Sequence, residues 1–291
     1  MCNLVIPTQT MGKIFFSAIV FLISAAVFPG LVSAQENGLS SGEMASPIDP
    51  HFNSPIFVGA IVGFGPSNQT GEFKTDKCDC PAFTEGTGIN IVFGGLFEQA
   101  LTRNVVIGTT LLYNYRSLTA DYTQWEAVEL QKEGASKSTV RIPFLHTTNS
   151  SFTYITAQPY LKYYFFKSIF AKIGPGLSFN VGSSLRHEKD MLVTTATLDD
   201  GETVNITLPA EKDSRVVSAT KAIIQDTEFP KMSGFLLSAD LGLGAEIRAG
   251  KKMTISPMIQ YSLPFMDVSS SGTGFKLPSF LFCLEVRYKF D

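Results

Sequence analysis

Residues 280–290 alternate without a break: Phe280, Phe282, Leu284, Val286, Tyr288 and Phe290 are large and apolar, while Glu285, Arg287 and Lys289 lie between them. A repeat of two residues marks a β-strand with chemically opposed faces. The same period recurs upstream. In 253–263, Ile255, Pro257, Ile259, Tyr261 and Leu263 oppose Thr254, Ser256, Gln260 and Ser262. In 234–247, Phe235, Leu237, Leu241, Leu243 and Ile247 oppose Ser238, Asp240, Gly242, Gly244 and Glu246. Similar runs occupy 169–181, 153–165, 105–116 and 88–98. An eighth, 57–65, has the least clear phase, with Val58, Ala60, Val62 and Phe64 placed outward. Pro159 and Pro175 each remove a ladder donor, which a bulge at either site would accommodate.

The connections between these runs alternate in length. Short turns fall at 99–104, 166–168 and 248–252, and polar loops at 66–87, 117–152, 182–233 and 264–276. Eight runs of about the 9–11 residues that cross a bilayer when tilted, joined in this way, describe an antiparallel meander with short turns at one end. An even count puts both termini at the short-turn end.

A soluble sheet also has one apolar face, so the opposite face must discriminate. It carries Glu98, Arg116, Lys162, Lys172, Asp240, Glu246, Glu285, Arg287 and Lys289, among many Gly, Ser, Thr and Asn. A soluble ligand-binding barrel needs an apolar interior. Here the polarity is inverted, and mixed signs suit pairing across a narrow lumen filled by side chains. Phe97, Tyr163, Phe165, Tyr288 and Phe290 fall at the turn end, and Tyr113, Tyr115, Phe235, Tyr261, Phe280 and Phe282 at the loop end. Two aromatic belts flanking an aliphatic band fit a surface with two lipid–water interfaces. The predicted fold is all-β: an eight-stranded antiparallel up-and-down transmembrane β-barrel with short periplasmic turns and long extracellular loops.

The front of the chain sets the compartment. Lys13 is the only charge in 1–34, 14–27 is almost wholly apolar, and Val32-Ser33-Ala34 makes a small-residue cleavage site before Gln35. This predicts a cleaved signal peptide (1–34), a linker (35–54) and a barrel domain (55–291). No later apolar run reaches about 18 residues, so strands rather than helices are expected to cross the bilayer. The formal charge of −3 gives no basic footprint for nucleic acid. In an exported chain, Cys78 and Cys80 of "KCDCP" are expected to form a local disulfide or to remain two free thiols, with no metal site. Cys283 stands alone in the last strand.

The signal segment, the girdled strands and the closing "LEVRYKF" resemble bacterial outer-membrane β-barrel proteins, in particular the PorT-like and OmpA/OmpX-like eight-stranded barrels. "GLFEQALTRNVVIGTTLLYNYRSL" (95–118) is similar to a strand-turn-strand unit of the PorT-like group. The resemblance covers roughly residues 55–291 and implies the outer membrane of a Gram-negative-type bacterium. It implies outer-membrane lipids and the barrel-assembly machinery as partners, the latter reading Tyr288 and Phe290, although Asp291 follows the aromatic here. No OmpA-like peptidoglycan-binding domain is expected after the barrel. An extracellular ligand or a secretion component remains an open class of partner.

Candidate chemistry is sparse. Barrel-type lipid A deacylases need a His and a Ser on the wall, and omptin-type proteases an Asp and a His at the rim. This chain has only His51, His146 and His187. The last two are expected to be solvated loop residues, one within "RHEKD" (186–190). No nucleophile–base spacing or phosphate loop stands out, so no catalytic residue, cofactor or metal is assigned. "MLVTTATLDDGETVNITL" (191–208) reads as a hairpin around Asp199-Asp200-Gly201, outside the wall rather than as strands nine and ten. "STVRIPFLH" (138–146) is read as prolonging its neighbouring strands. The reading is a structural or surface-binding barrel with a lumen filled by polar and charged side chains. A narrow pore or a transport- or secretion-associated component is the alternative, and an enzyme the weaker one.

Overall fold

The computed structural model describes residues 54–77, 80–130, 138–198, 201–208 and 214–290. The expected signal segment, residues 35–53 of the linker and Cys78 lie outside the described residues. Eight long strands dominate: β1 (Ile56–Asn68), β2 (Gly86–Ala100), β3 (Val105–Leu130), β4 (Ser138–Tyr164), β5 (Ile169–Met191), β6 (Phe235–Ala245), β7 (Met253–Pro264) and β8 (Ser279–Phe290). Each pairs antiparallel with its sequence neighbour, and β8 returns to β1 through Ile56↔Phe290 to Ser67↔Ser279, closing the ring. Closure gives every ring strand two partners, which hydrocarbon surroundings demand of backbone N–H and C=O groups.

The alternation along each strand becomes an inside and an outside. In β1, Val58, Ala60, Val62 and Phe64 are exposed on the outer wall, while Ile61, Gly63 and Gly65 are buried inward. Glycines inside make room: a Cβ on Gly108 would stand 2.6 Å from the Tyr160 ring, and one on Gly176 would stand 2.4 Å from a carboxylate oxygen of Asp240. The two prolines are not accommodated by bulges. Flanking pairs Ala157↔Leu177 and Leu161↔Ile173 share one register, so Pro159 faces Pro175. Their missing donors coincide on one rung, and the pairing lapses there without a shift.

The register break lies higher. Thr153 pairs with Gly182 but Tyr154 with Asn180, so β5 carries one extra residue, Val181. This bulge reverses which parity of β5 faces inward: Phe170, Lys172, Gly176 and Ser178 below it, Leu185, His187, Lys189 and Met191 above it.

Three strands run on beyond the outer aromatic belt. Residues 117–130 and 147–152, expected within a loop, and 138–146, expected to prolong its neighbours, are the upper halves of β3 and β4, paired to Leu130↔Ser138. Part of the expected loop 182–233 is the upper half of β5, which pairs with Lys221–Thr227. At roughly 3.3 Å per residue the β3 extension rises about 45 Å. Its polarity reverses without any slip in phase. Outward residues change from Leu111, Tyr113 and Tyr115 to Ser117, Thr119, Asp121 and Thr123, and inward ones from Thr110, Asn114 and Arg116 to Leu118, Ala120 and Tyr122. A small hairpin, Thr195–Thr197 with Thr203–Asn205, turns at Gly201 (φ 81°). Ala196 and Ile206 from this hairpin join Ile142, Phe144 and Met191 in a core above the barrel.

Candidate functional site

Toward the turn end, six charges meet inside the ring, five from four strands and Glu246 from just beyond the end of β6. Glu98 (β2) accepts from Lys162 (β4), from Arg287 Nη1 (β8) and from the Tyr160 hydroxyl at 2.8 Å. Glu285 (β8) accepts from Lys162 and Lys172, each at 3.0 Å. Arg287 Nη2 reaches Glu246 at 2.5 Å, and the Tyr164 hydroxyl donates to the same carboxylate at 2.6 Å. Lys172 also stands 3.8 Å above the Tyr160 ring. Glu98, Lys162 and Glu285 have no solvent exposure. Alternation brings the charges to the inner face, and closure of the ring brings them together.

The other three expected members lie elsewhere. Arg116 is higher, donating to the Leu277 carbonyl at 3.2 Å with its guanidinium over the Tyr154 ring. Asp240 accepts from Gln158 at 2.8 Å. Lys289 is half-buried at the turn-end rim, outside the ion pairs of the network. Tyr160, Tyr164 and Ser256 do belong to it, the last accepting from Arg287 at 3.2 Å. Tyr160 and Tyr164 share the inward parity of Lys162, which is the sequence signal that would have found them.

The interior is also less polar than its sequence suggested. Ile61, Val92, Leu96, Leu112, Phe170, Met258, Leu281 and Cys283 form an apolar cluster within the ring. A lumen this narrow is a packed core, and packing rather than hydration governs it. Beside Gln158, Tyr160, Lys172 and Asp240 a cavity of about 10 Å³ remains, close to the least that holds one water.

At the other end, segments 69–77, 80–85, 228–234 and 265–278 fold over the mouth. Thr70–Phe73 pairs with Gly272–Lys276. Phe73 lies 5.1, 4.9 and 5.2 Å from the rings of Phe83, Phe275 and Phe229. With Leu118, Phe152, Leu185, Val268 and Leu277 these form a buried core between the mouth and the upper sheet. No alternation announces such a plug, because Phe73, Phe83, Phe229 and Phe275 come from the connections between ring strands.

Above it lies a buried chain of polar groups. His146 and His187 are 1 % and 0 % exposed, not solvated. The extended β4 and the bulge in β5 turn both rings inward. His146 Nδ1 and His187 Nε2 are 3.0 Å apart. His146 Nε2 is 3.2 Å from Glu126 Oε1, and His187 Nδ1 is 3.3 Å from Thr75 Oγ1. Lys189 donates to the other Glu126 oxygen at 2.6 Å. Tyr122 stacks on His146 at 4.9 Å, and Phe83 meets His187 edge to face at 5.4 Å. Burial, with His146 and Lys189 nearby, pushes His187 down to about 4. Burial would raise the Glu126 carboxyl, but hydrogen bonds from His146 and Lys189 outweigh it and hold the group below its ordinary range. Among the described residues no group of three or more His, Cys, Asp or Glu side chains is placed to hold a metal ion.

Tyr288 and Phe290 are exposed at the turn-end rim, 5.5 Å apart. Cys80 is disulfide-bonded, and Cys283 is a free thiol buried in the lumen.

A closed ring of eight strands, apolar outside with ion pairs within, and girdled by aromatics, defines an integral outer-membrane β-barrel. The chain belongs to the outer membrane protein beta-barrel domain family, whose model matches residues 83–270. The match does not single out the PorT-like group. No curated protein sequence matches. Among solved structures the chain is similar to Ail, the attachment invasion locus protein of Yersinia pestis, at 8 % identity over 81 % of this chain and 99 % of that one (TM-score 0.26). It is also similar to Neisserial surface protein A, at 10 % identity over 81 % and 97 % (TM-score 0.29). The outer membrane protease OmpT from Escherichia coli shows 8 % identity over 81 % and 97 % (TM-score 0.29). Scores this low carry nothing about role.

Proposed function

We propose that this barrel is a non-conducting outer-membrane scaffold whose task is to hold a rigid binding sheet above the outer leaflet. The observation that carries this reading is the double obstruction of the lumen: the Glu98–Lys162–Glu285–Lys172–Arg287–Glu246 network at one end and the Phe73-centred aromatic plug at the other. On this reading the two obstructions deny ions a path through the lumen. The charge network acts structurally, holding the ring closed around a packed interior.

The surface-binding part rests on the upper sheet. Pairing of β2 with β3 ends at Gly86↔Ala120, and residues 121–128 then present an edge with no strand along it among the described residues. Trp125 stands on this edge strand, 58 % exposed. An exposed strand edge is a ready template for an extended segment of a partner.

Planar-bilayer recording of the refolded protein tests the reading. No discrete conductance steps are expected at neutral pH. Stable single-channel steps in the intact protein would sink the scaffold reading in favour of a narrow pore.

A further inference from the structure

We infer that a break in the barrel wall between β5 and residues 228–234 is a seat for one outer-leaflet phospholipid with a zwitterionic phosphoethanolamine headgroup. This goes beyond the scaffold reading and holds whether or not the lumen conducts.

The break begins in the ladder. β5 pairs with β6 up to Phe179↔Phe235, and with Lys221–Thr227 from Leu185↔Thr227 upward. Along residues 180–184, between these two ladders, none runs on that side. Among the described residues, two hydrogen bonds span the break: Asn180 N donates to the Gly234 carbonyl at 3.0 Å, and Phe229 N to Ser183 Oγ at 3.3 Å. By contrast, β3 and β4 pair without interruption from Val105↔Tyr163 to Leu130↔Ser138. Backbone groups at such a break need partners from outside the ladder, either water or a ligand.

The break is a crevice rather than a seam. It encloses about 410 Å³ between Asn180, Val181, Ser183, Glu228, Lys231 and Met232. That is within the range of about 300–1,000 Å³ common for small-molecule pockets. Phe229, a buried member of the plug core, lines it from within. A Cβ placed on Gly182 would meet no heavy atom within 4 Å. The crevice sits at the outer aromatic belt. Exposed Phe179 lies next below it, 5.3 Å from the Phe235 ring, and Val181 is exposed on its lip. An opening at this height meets headgroups above and acyl chains below.

The charges on the crevice are of opposite sign. Glu228 and Lys231 are both exposed, and neither forms an ion pair among the described residues. Lys231 is the one described non-glycine residue with a left-handed backbone, at φ 47°. Such a conformation persists where the surroundings enforce it. Here the Lys231 carbonyl accepts from Ser270 N at 3.1 Å, and Ser269 Oγ donates to the Pro230 carbonyl at 2.6 Å. The fold thus fixes the turn that carries the ammonium. A simple anion would meet Glu228 as a like charge. A phosphoethanolamine headgroup matches both residues. Its phosphate accepts from Lys231 and from the Ser183 hydroxyl, whose proton the Phe229 N–H leaves free, and its ammonium donates to Glu228. The acyl chains then descend over Val181, Phe179 and Phe235.

Native mass spectrometry of the full folded chain released from detergent micelles tests this, with phosphatidylethanolamine, phosphatidylglycerol or phosphatidylcholine added at equal concentration. One phosphatidylethanolamine per chain is expected to stay bound, with the other two retained about tenfold less, as the loss of one charge-assisted hydrogen bond implies. Lys231→Gly removes the ammonium at a backbone conformation that glycine adopts freely. It should lower phosphatidylethanolamine retention by about tenfold on the same ground. Gly182→Phe should fill the crevice and abolish retention. Glu228→Gln should raise phosphatidylglycerol to the level of phosphatidylethanolamine, a gain that misfolding does not produce. No retained lipid, retention of another lipid at or above phosphatidylethanolamine by the wild type, or wild-type retention by either Lys231→Gly or Gly182→Phe overturns the seat. An unchanged preference in Glu228→Gln does the same. Should Gly182→Phe fail to fold, the other two variants decide.

Discussion

The lower and upper halves of β3 obey opposite rules. Between 105 and 116 the outward side chains are Leu111, Tyr113 and Tyr115, and the inward ones include Thr110, Asn114 and Arg116. Between 117 and 123 Ser117, Thr119, Asp121 and Thr123 point out, and Leu118, Ala120 and Tyr122 point in. The backbone is continuous and the phase unchanged. Only the solvent differs: lipid wants the apolar face, then water wants the polar one. The level at which the two patterns cross, near residue 116, marks the outer surface of the membrane. Below that level the ring buries ions that pair. Above it the molecule folds like a soluble protein, around phenylalanines.

The largest expected effect breaks the lower regime. Glu98→Ala leaves Lys162 and Arg287 short of a buried counter-charge and should destabilise the barrel by about 3–5 kcal/mol, read as a lower urea midpoint in lipid vesicles. An unchanged midpoint would mean that the ion pairs do not hold the ring. In the upper regime Phe73→Ala removes the centre of the mouth plug. A loss of about 3 kcal/mol is expected from cavity formation in a core of this kind, confined to the mouth and visible as faster exchange of the Phe83 amide while the lower strands stay protected. Uniform loss across the ring would show that plug and barrel are one cooperative unit.

Two substitutions on one face of one strand sharpen the contrast. Leu111→Lys puts a charge against lipid near mid-depth and should cost about 2–3 kcal/mol. Thr119→Lys, eight residues on and in water, should stay within about 0.5 kcal/mol. Equal costs would erase the boundary drawn at residue 116. The smallest effect is expected for Trp125→Ala, whose exposed ring on the edge strand should leave the unfolding midpoint within about 0.5 kcal/mol of wild type. A large loss there would show that the ring is packed in the folded protein.

How much was legible follows from the same contrast. All eight ring strands, and even the phase of β1, could be read because each outer face is apolar at every second residue. Residues 117–130 and 147–152 look like a loop because polar Ser, Thr and Asn occupy an outer face that lipid would make apolar. The inward parity of Leu118, Ala120, His146 and Thr148 was the signal available. His187 was further hidden by the bulge at Val181, which shifts the parity of everything after it and leaves no mark in composition. Part of the inner charge set was read correctly by face but not by height. Arg116 and Glu98 share a parity, yet stand at different levels of the lumen.

Sequence alone determined the strands, their faces and the antiparallel order, because a two-residue period and alternating loop lengths are local properties. Tertiary structure decided which charges meet, where the phenylalanines of three loops converge, and that Glu126, His146, His187 and Thr75 form one chain. Those depend on ring closure, register and a single extra residue, and contacts between distant segments leave no periodic trace along the chain.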